Sequence, residues 1–140
     1  MEVKIKKLVE EAVIPKYAKP GDAGLDLVAV SHEVVNNNHV YGTGLALEIP
    51  KGYVGFIFPR SSNRKTNAYM TNHVGVVDSG YRGEVYITFK NVDLSIGKPY
   101  NIGDKIAQLI IMPYPSIELV EVNELSETER GTGGHGSTGN

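Results

Sequence analysis

At 140 residues the chain is sized for one domain, and 14 Lys and Arg against 16 Asp and Glu leave a formal net charge of −2, too little for a general binder of nucleic acid or membrane surfaces. Cysteine is absent, which excludes disulfide scaffolds and thiolate metal sites. The opening stretch, Met1 to Glu11, is charged and alternating rather than a signal peptide, and no apolar run approaches the roughly 20 residues needed to span a bilayer, so a soluble, cytoplasmic domain is expected, with any polyanion site local.

The dominant period along the chain is two. Val3, Ile5 and Lys7 alternate with Lys4 and Lys6, and the same parity links Leu25, Leu27 and Ala29, then Leu45, Leu47 and Ile49. Val54, Phe56 and Phe58 follow, and later Val85, Ile87 and Phe89. Such alternation reads as strands with one buried face. Gly or Pro stands at nearly every join, among them Pro20-Gly21, Gly42, Gly44, Pro50, Gly52, Pro59, Gly80, Gly83, Gly97, Gly103, Pro113 and Pro115. Many short strands punctuated in this way predict an all-β antiparallel sandwich or barrel. One short helix is expected near Ser61 to Ala68. Val120 to Arg130, with four glutamates, reads as a solvated arm able to reach a neighbouring subunit. The domain proper is expected over 1–129, with 130–140 as its flexible tail.

That tail, GTGGHGSTGN after Arg130, holds five glycines and no aliphatic side chain. One reading is a mobile end without a role. The other is a strap for an anion: glycines let successive N–H groups converge, Ser137 and Thr138 add hydroxyls, and Arg130 adds a planar charged fork.

Four upstream segments carry further chemistry. In Pro20 to Leu27, Asp26 sits between two leucines, where a carboxylate is costly unless paired or near a cation; a turn-capping role is the alternative. In Phe58-Pro-Arg-Ser-Ser62, an arginine followed by two hydroxyls at a helix start is either a phosphate grip or an ordinary serine cap. In Asn72 to Glu84, Asp78 and Tyr81 stand at the two ends of one tight turn, where a carboxylate could activate water and an aromatic face could meet a sugar; the plain alternative is a hairpin turn. His39 and His73 show no paired spacing for a metal. In Gly103 to Gln108, the Gln108 amide enters an apolar strand and needs a partner, whether backbone or ligand.

Taken together, AGLDL at 23–27, PRSS at 59–62, NHVGVVDSGYRGEV at 72–85, GDKIAQL at 103–109 and RGTGGHGSTG at 130–139 resemble the five ordered motifs of the trimeric dUTP pyrophosphatase (dUTPase) family. The resemblance spans about residues 15 to 139. It implies a distorted β jelly roll, a barrel of the β-clip type, assembled as a homotrimer with exchanged C-terminal arms and three active sites at subunit interfaces. It also implies hydrolysis of dUTP to dUMP and pyrophosphate with Mg²⁺, which limits uracil incorporation into DNA and supplies dUMP for dTMP synthesis. No direct nucleic-acid or membrane partner is implied.

By the same resemblance, Asp78 orients and deprotonates the attacking water, and Asp26 holds Mg²⁺ through water. Arg60, Ser61 and Gln108 hold the phosphates, with Ser62 beside them. Tyr81 packs on the deoxyribose and leaves no room for a 2′-hydroxyl. The hairpin of Asn72, His73 and Val74 reads uracil. Arg130, Ser137 and Thr138 clasp the β and γ phosphates, with His135 and Gly136 between them, while Arg82 is structural. His135 departs from the family pattern, which has phenylalanine at that position stacking on uracil; imidazole is flat but buries less apolar area and can titrate near neutral pH. Gly80 stands where an acidic residue is common. A dCTP deaminase of the same fold and a non-catalytic nucleotide-binding regulator are the alternatives, and ammonia release from dCTP would identify the first.

Overall fold

The alternating segments form strands that pair almost entirely over long sequence separations. The computed structural model describes residues 1–136 and 139. Its strands are β1 (Lys4–Lys7), β2 (Leu25–Val28), β3 (Ser31–Val35), β4 (Asn38–Gly42) and β5 (Leu45–Glu48), then β6 (Tyr53–Pro59), β7 (Ala68–Met70), β8 (Gly75–Val77), β9 (Tyr86–Asn91) and β10 (Lys105–Pro113). They pair as β1-β5, β2-β10-β6-β8 and β3-β4-β9-β7, and every pairing is antiparallel. The expected all-β class is therefore what the chain adopts.

Leu27, Tyr41, Leu45, Ile87, Phe89, Ile106 and Leu109 form the fully buried centre between the sheets, each such side chain contributing about 1.5–3 kcal/mol by leaving water. Three of the expected parities hold, since Leu27 and Ala29, then Leu45, Leu47 and Ile49, then Val85, Ile87 and Phe89 are buried. Strand β6 departs from its expected pattern. Gly55 and Ile57 face the core, whereas Val54, Phe56 and Phe58 share the opposite face, Val54 buried there and the two phenylalanines half-buried. The reason is a small residue: a Cβ at Gly55 would meet Ile49 at 2.9 Å and Leu109 at 3.2 Å, so glycine is the inward-facing residue that an apolar count passes over.

Two buried polar groups fasten the centre. Tyr41 Oη donates to the Tyr100 carbonyl at 2.9 Å and accepts from the Tyr100 N–H at 3.1 Å. Thr43 Oγ1 donates to the Val85 carbonyl at 2.8 Å. The β3–β4 hairpin turns on Asn36 and Asn37, with φ of 50° and 63°, the left-handed pair that a two-residue turn requires.

The expected helix shrinks to a 3-10 turn over Ser61–Lys65, and Ala68 already begins β7. Its cap position is Arg60, with no side-chain cap bond, so neither serine serves as the ordinary cap. The expected hairpin around Asn72, His73 and Val74 is a different object: β7 pairs with β9 and β8 with β6. Residues 71–74 thus carry the chain from one sheet to the other, with His73 at φ 49°.

Candidate active site

The turn after β8 is built from its own backbone. The Tyr81 N–H donates to the Asp78 carbonyl at 3.0 Å, which closes the turn and leaves both side chains exposed. Arg82 Nη1 donates to the carbonyls of Ser79 at 2.7 Å and Tyr81 at 3.0 Å, the structural role expected of it. Tyr81 Oη donates to the Glu84 carbonyl at 2.8 Å, and Glu84 Oε1 accepts from the Gly44 N–H at 2.8 Å.

This turn forms one side of a cleft of about 230 Å³ whose lining includes Asn72, Gly75, Asp78, Tyr81, Ile57 and Tyr86. Three residues singled out in the sequence, Asn72, Asp78 and Tyr81, therefore meet at one place. His73 and Val74 are exposed beside it rather than in its lining, with the His73 ring 6.1 Å from that of Tyr69. Ile57 and Tyr86 were not anticipated; their only signal was their place in alternating strands.

A second cluster forms where β2, β6 and β10 lie side by side. Gln108 stands opposite Asp26 on one flank and Phe58 on the other, so all three share a face of the sheet. Asp26 Oδ1 accepts from Arg60 Nε at 2.9 Å, and Lys105 Nζ lies 2.9 Å from Asp26 Oδ2. Burial pushes the Asp26 carboxyl up, but the bond from Lys105 and the charges of Arg60 and Lys105 outweigh it and hold the group below its ordinary value. Arg60 is gripped twice more, since its Nη1 donates to Ser62 Oγ and to the Lys105 carbonyl, both at 3.2 Å. Ser61 stays exposed. Gln108 Nε2 donates to the Pro59 carbonyl at 3.3 Å, the internal partner considered for it, and its side chain presses so closely on Gly24 that a Cβ there would collide with it. Asp26 and Lys105 also line a cleft of about 480 Å³ with Lys7, Lys16 and Tyr17.

Asp78 and Tyr81 on one side, and Asp26 and Lys105 on the other, line separate cavities. Lys105 is the residue here that the sequence reading missed. Its signal was indirect: a carboxylate between leucines needs a cation, and Lys105 lies three residues before Gln108.

In the tail, Arg130 Nε donates to the Gly133 carbonyl at 3.0 Å. His135 and Gly136 have φ of 49° and 89°. Ser137 and Thr138, expected to clasp phosphate, lie outside the described residues.

A metal would find one carboxylate here, and no group of three or more His, Asp or Glu able to hold an ion occurs among the described residues. Both Asp26 oxygens already face cations, yet each has a further lone pair. That fits a metal-bound water at Asp26 and does not fit a direct ligand shell.

Residues 10–139 match the family model described as dUTPase. The chain belongs to the dUTPase family. It is 41% identical over 142 residues to the deoxyuridine 5'-triphosphate nucleotidohydrolase of Thermobifida fusca, covering 99% of this chain and 79% of that one. It is 40% identical to the same-named protein of a Hydrogenobaculum species, covering 99% of each. Among solved structures it resembles a point mutant of the Staphylococcus bacteriophage 80alpha dUTPase with dUpNHpp, with TM-score 0.84, 28% identity and coverage of 99% and 98%. It also resembles a mutant dUTPase of phage phi11 of S. aureus, described for the coordination of a structural Mg(II) ion, with TM-score 0.75, 29% identity and coverage of 89% and 98%. Family membership and the paired-sheet architecture agree.

Proposed function

We propose that the protein hydrolyses dUTP to dUMP and pyrophosphate. The observation that carries this reading is the cleft in which Asn72, Asp78 and Tyr81 converge. Uracil enters at Asn72, whose amide can both donate and accept along the base edge and so rejects a 4-amino group by mismatch. The deoxyribose lies on Tyr81, whose ring is fixed at its far end by the bond to the Glu84 carbonyl, so that a 2′-hydroxyl meets the ring. Asp78, on an exposed and backbone-fixed turn, accepts a proton from the water that attacks the α-phosphorus.

Arg60 and Gln108 hold phosphate oxygens, the second N–H of the Gln108 amide being the one left after Pro59, with Ser61 and Ser62 beside them. Mg²⁺, when bound with the triphosphate, neutralises its charge and fixes its geometry; Asp26 would hold it through water. The separation of the two clusters into different cavities supports sites shared between chains of a homotrimer. So do the half-buried Phe56, Phe58 and Ile110 and the exposed Val76 on one sheet face, an apolar patch of the kind that marks interfaces. Leu125 on the arm and Leu119 just before it are 87% and 89% exposed, which supports an arm that packs on a neighbour. Arg130, His135, Gly136, Ser137 and Thr138 then close over the β and γ phosphates from residues 130–140. No helix among the described residues is long and apolar enough to cross a membrane, and the proposed place of action is the cytoplasm.

The test is product release from dUTP, dCTP, dTTP and UTP by the wild type and by Asp78→Asn. Pyrophosphate from dUTP alone, falling about 10²–10⁴-fold in the variant, supports the reading. Ammonia from dCTP would assign the deaminase chemistry instead, and comparable turnover of UTP would remove Tyr81 from its role.

A further inference from the structure

Strand β10 does not run regularly into its first residue. Lys105 stands opposite Val28 and Ala107 opposite Leu27, with a register shift between Lys105 and Ala107. Two residues of β10 thus advance against one of β2, a bulge centred on Ile106. Counted back from Gln108 by strict alternation, Lys105 would point to the face away from Asp26. The bulge reverses this: Lys105 pairs with Val28, which shares a face with Asp26, while Ile106 is turned wholly into the core.

The consequence is a closed ring of contacts. Lys105 Nζ holds Asp26 Oδ2 at 2.9 Å, Asp26 Oδ1 holds Arg60 Nε at 2.9 Å, and Arg60 Nη1 returns to the Lys105 carbonyl at 3.2 Å. Arg60 is thereby fixed at Nε and Nη1, while its Nη2 has no hydrogen-bond partner among the described residues. A guanidinium with two of its three nitrogens held loses little orientational freedom when an anion binds the third.

We infer that Lys105 is a positioning residue for Arg60, acting through Asp26, and that the β10 bulge exists to aim it. This rests on the dUTP reading for the identity of the anion. Lys105 need not touch the phosphates itself. Its contribution is to the orientation of Arg60, a phosphate-holding group that transfers no proton, so it acts on nucleotide binding rather than on the proton transfer at Asp78.

The experiment measures KM and kcat for dUTP, and Kd for dUpNHpp with Mg²⁺, in Lys105→Met, Lys105→Arg, Asp26→Asn and the Met/Asn double variant. Lys105→Met should raise KM and Kd about tenfold with kcat within about twofold. Lys105→Arg should recover most of the loss, and Lys105→Met should cost nothing further once Asp26 is asparagine. A fall in kcat at constant KM, an arginine variant no better than methionine, or losses that multiply in the double variant would overturn the inference, the last by making Lys105 an independent phosphate ligand. If circular dichroism shows Lys105→Met unfolded, Lys105→Gln carries the same criteria. A wild type that binds dUpNHpp without turning over dUTP would count against the proposed reaction and not against Lys105, whose Kd criteria stand.

Discussion

The Tyr81 ring occupies the space over Gly83: a Cβ on Gly83 would lie 2.6 Å from Tyr81 Cζ and 2.9 Å from Cε2. Backbone and ring are therefore in direct contact, and the phenol is held against the chain that follows it. Gly83→Ala should push the ring off this seat. A misplacement of that size at a positioning group costs roughly 10²-fold, so kcat/KM for dUTP should fall by about that factor and discrimination against UTP should narrow. An alanine variant with wild-type kcat/KM for both nucleotides would show that the ring position is unimportant. Gly80→Ala is the matched control, because nothing lies within 4 Å of a Cβ there.

His135→Phe should lower KM for dUTP, since a larger apolar ring buries more area on a flat base. The gain is bounded by the backbone: His135 sits at φ 49°, a region histidine tolerates better than bulkier residues. A change of about three- to tenfold is expected, read from initial rates at a single pH. An unchanged KM would refute it.

Acidity should weaken the β3–β4 hairpin before it reaches Asp26. His32 Nε2 and His39 Nδ1 lie 3.0 Å apart, and His39 Nε2 faces the Asn91 amide nitrogen at 3.4 Å. The tautomer that avoids donor facing donor puts the proton on His39 Nδ1, donating to His32 Nε2. Burial first, then His39 and Lys98, hold His32 below its ordinary 6.5. The unfolded chain thus binds more protons there, so the contribution is complete above pH 6.5 and declines as pH falls below it. Asp26 is lowered from 3.8, so its contribution persists above 3.8 and is lost only as pH falls through its lower folded value. The melting temperature should drop between pH 7 and 5, less so in His32→Gln. Identical slopes in the two proteins would exclude the pair as the cause.

Tyr41→Phe should destabilise the fold by about 1–3 kcal/mol, because it strips both the carbonyl and the N–H of Tyr100 of their buried partner. Chemical denaturation measures this directly, and a loss under 0.5 kcal/mol, the order expected of a neutral surface change, would contradict it.

How far the sequence could be read depended on parity. Where one apolar face alternates cleanly, as at Val85, Ile87 and Phe89, inside and outside followed at once. At β6 the inward residue is Gly55, which has no side chain to count, and the outward Phe56 and Phe58 took its place in the expected pattern. At Lys105 the bulge shifts parity by one, which no reading of residue types supplies. The Asn36-Asn37 turn and the His32–His39 contact were missed for a related reason: they lie on a hairpin whose strand faces are mixed rather than alternating. The residues of the cleft were legible because turn chemistry is local; the joining of Asp26 to Arg60 and Lys105 was not, because it depends on three strands distant in sequence.

Residues 71–74 bridge the two sheets, and this gives the cleft an unusual dependence. Asn72 hangs from the end of a strand in one sheet, and Asp78 from the end of a strand in the other. The two also stand before and after β8, so their separation is set by that three-residue strand and by the crossing that leads into it. A methyl added at Gly75, where a Cβ would meet Ile57 at 3.2 Å and the Asn72 amide nitrogen at 3.5 Å, should therefore alter base selection by shifting Asn72, so selectivity in this protein is partly a property of the smallest residue in strand β8.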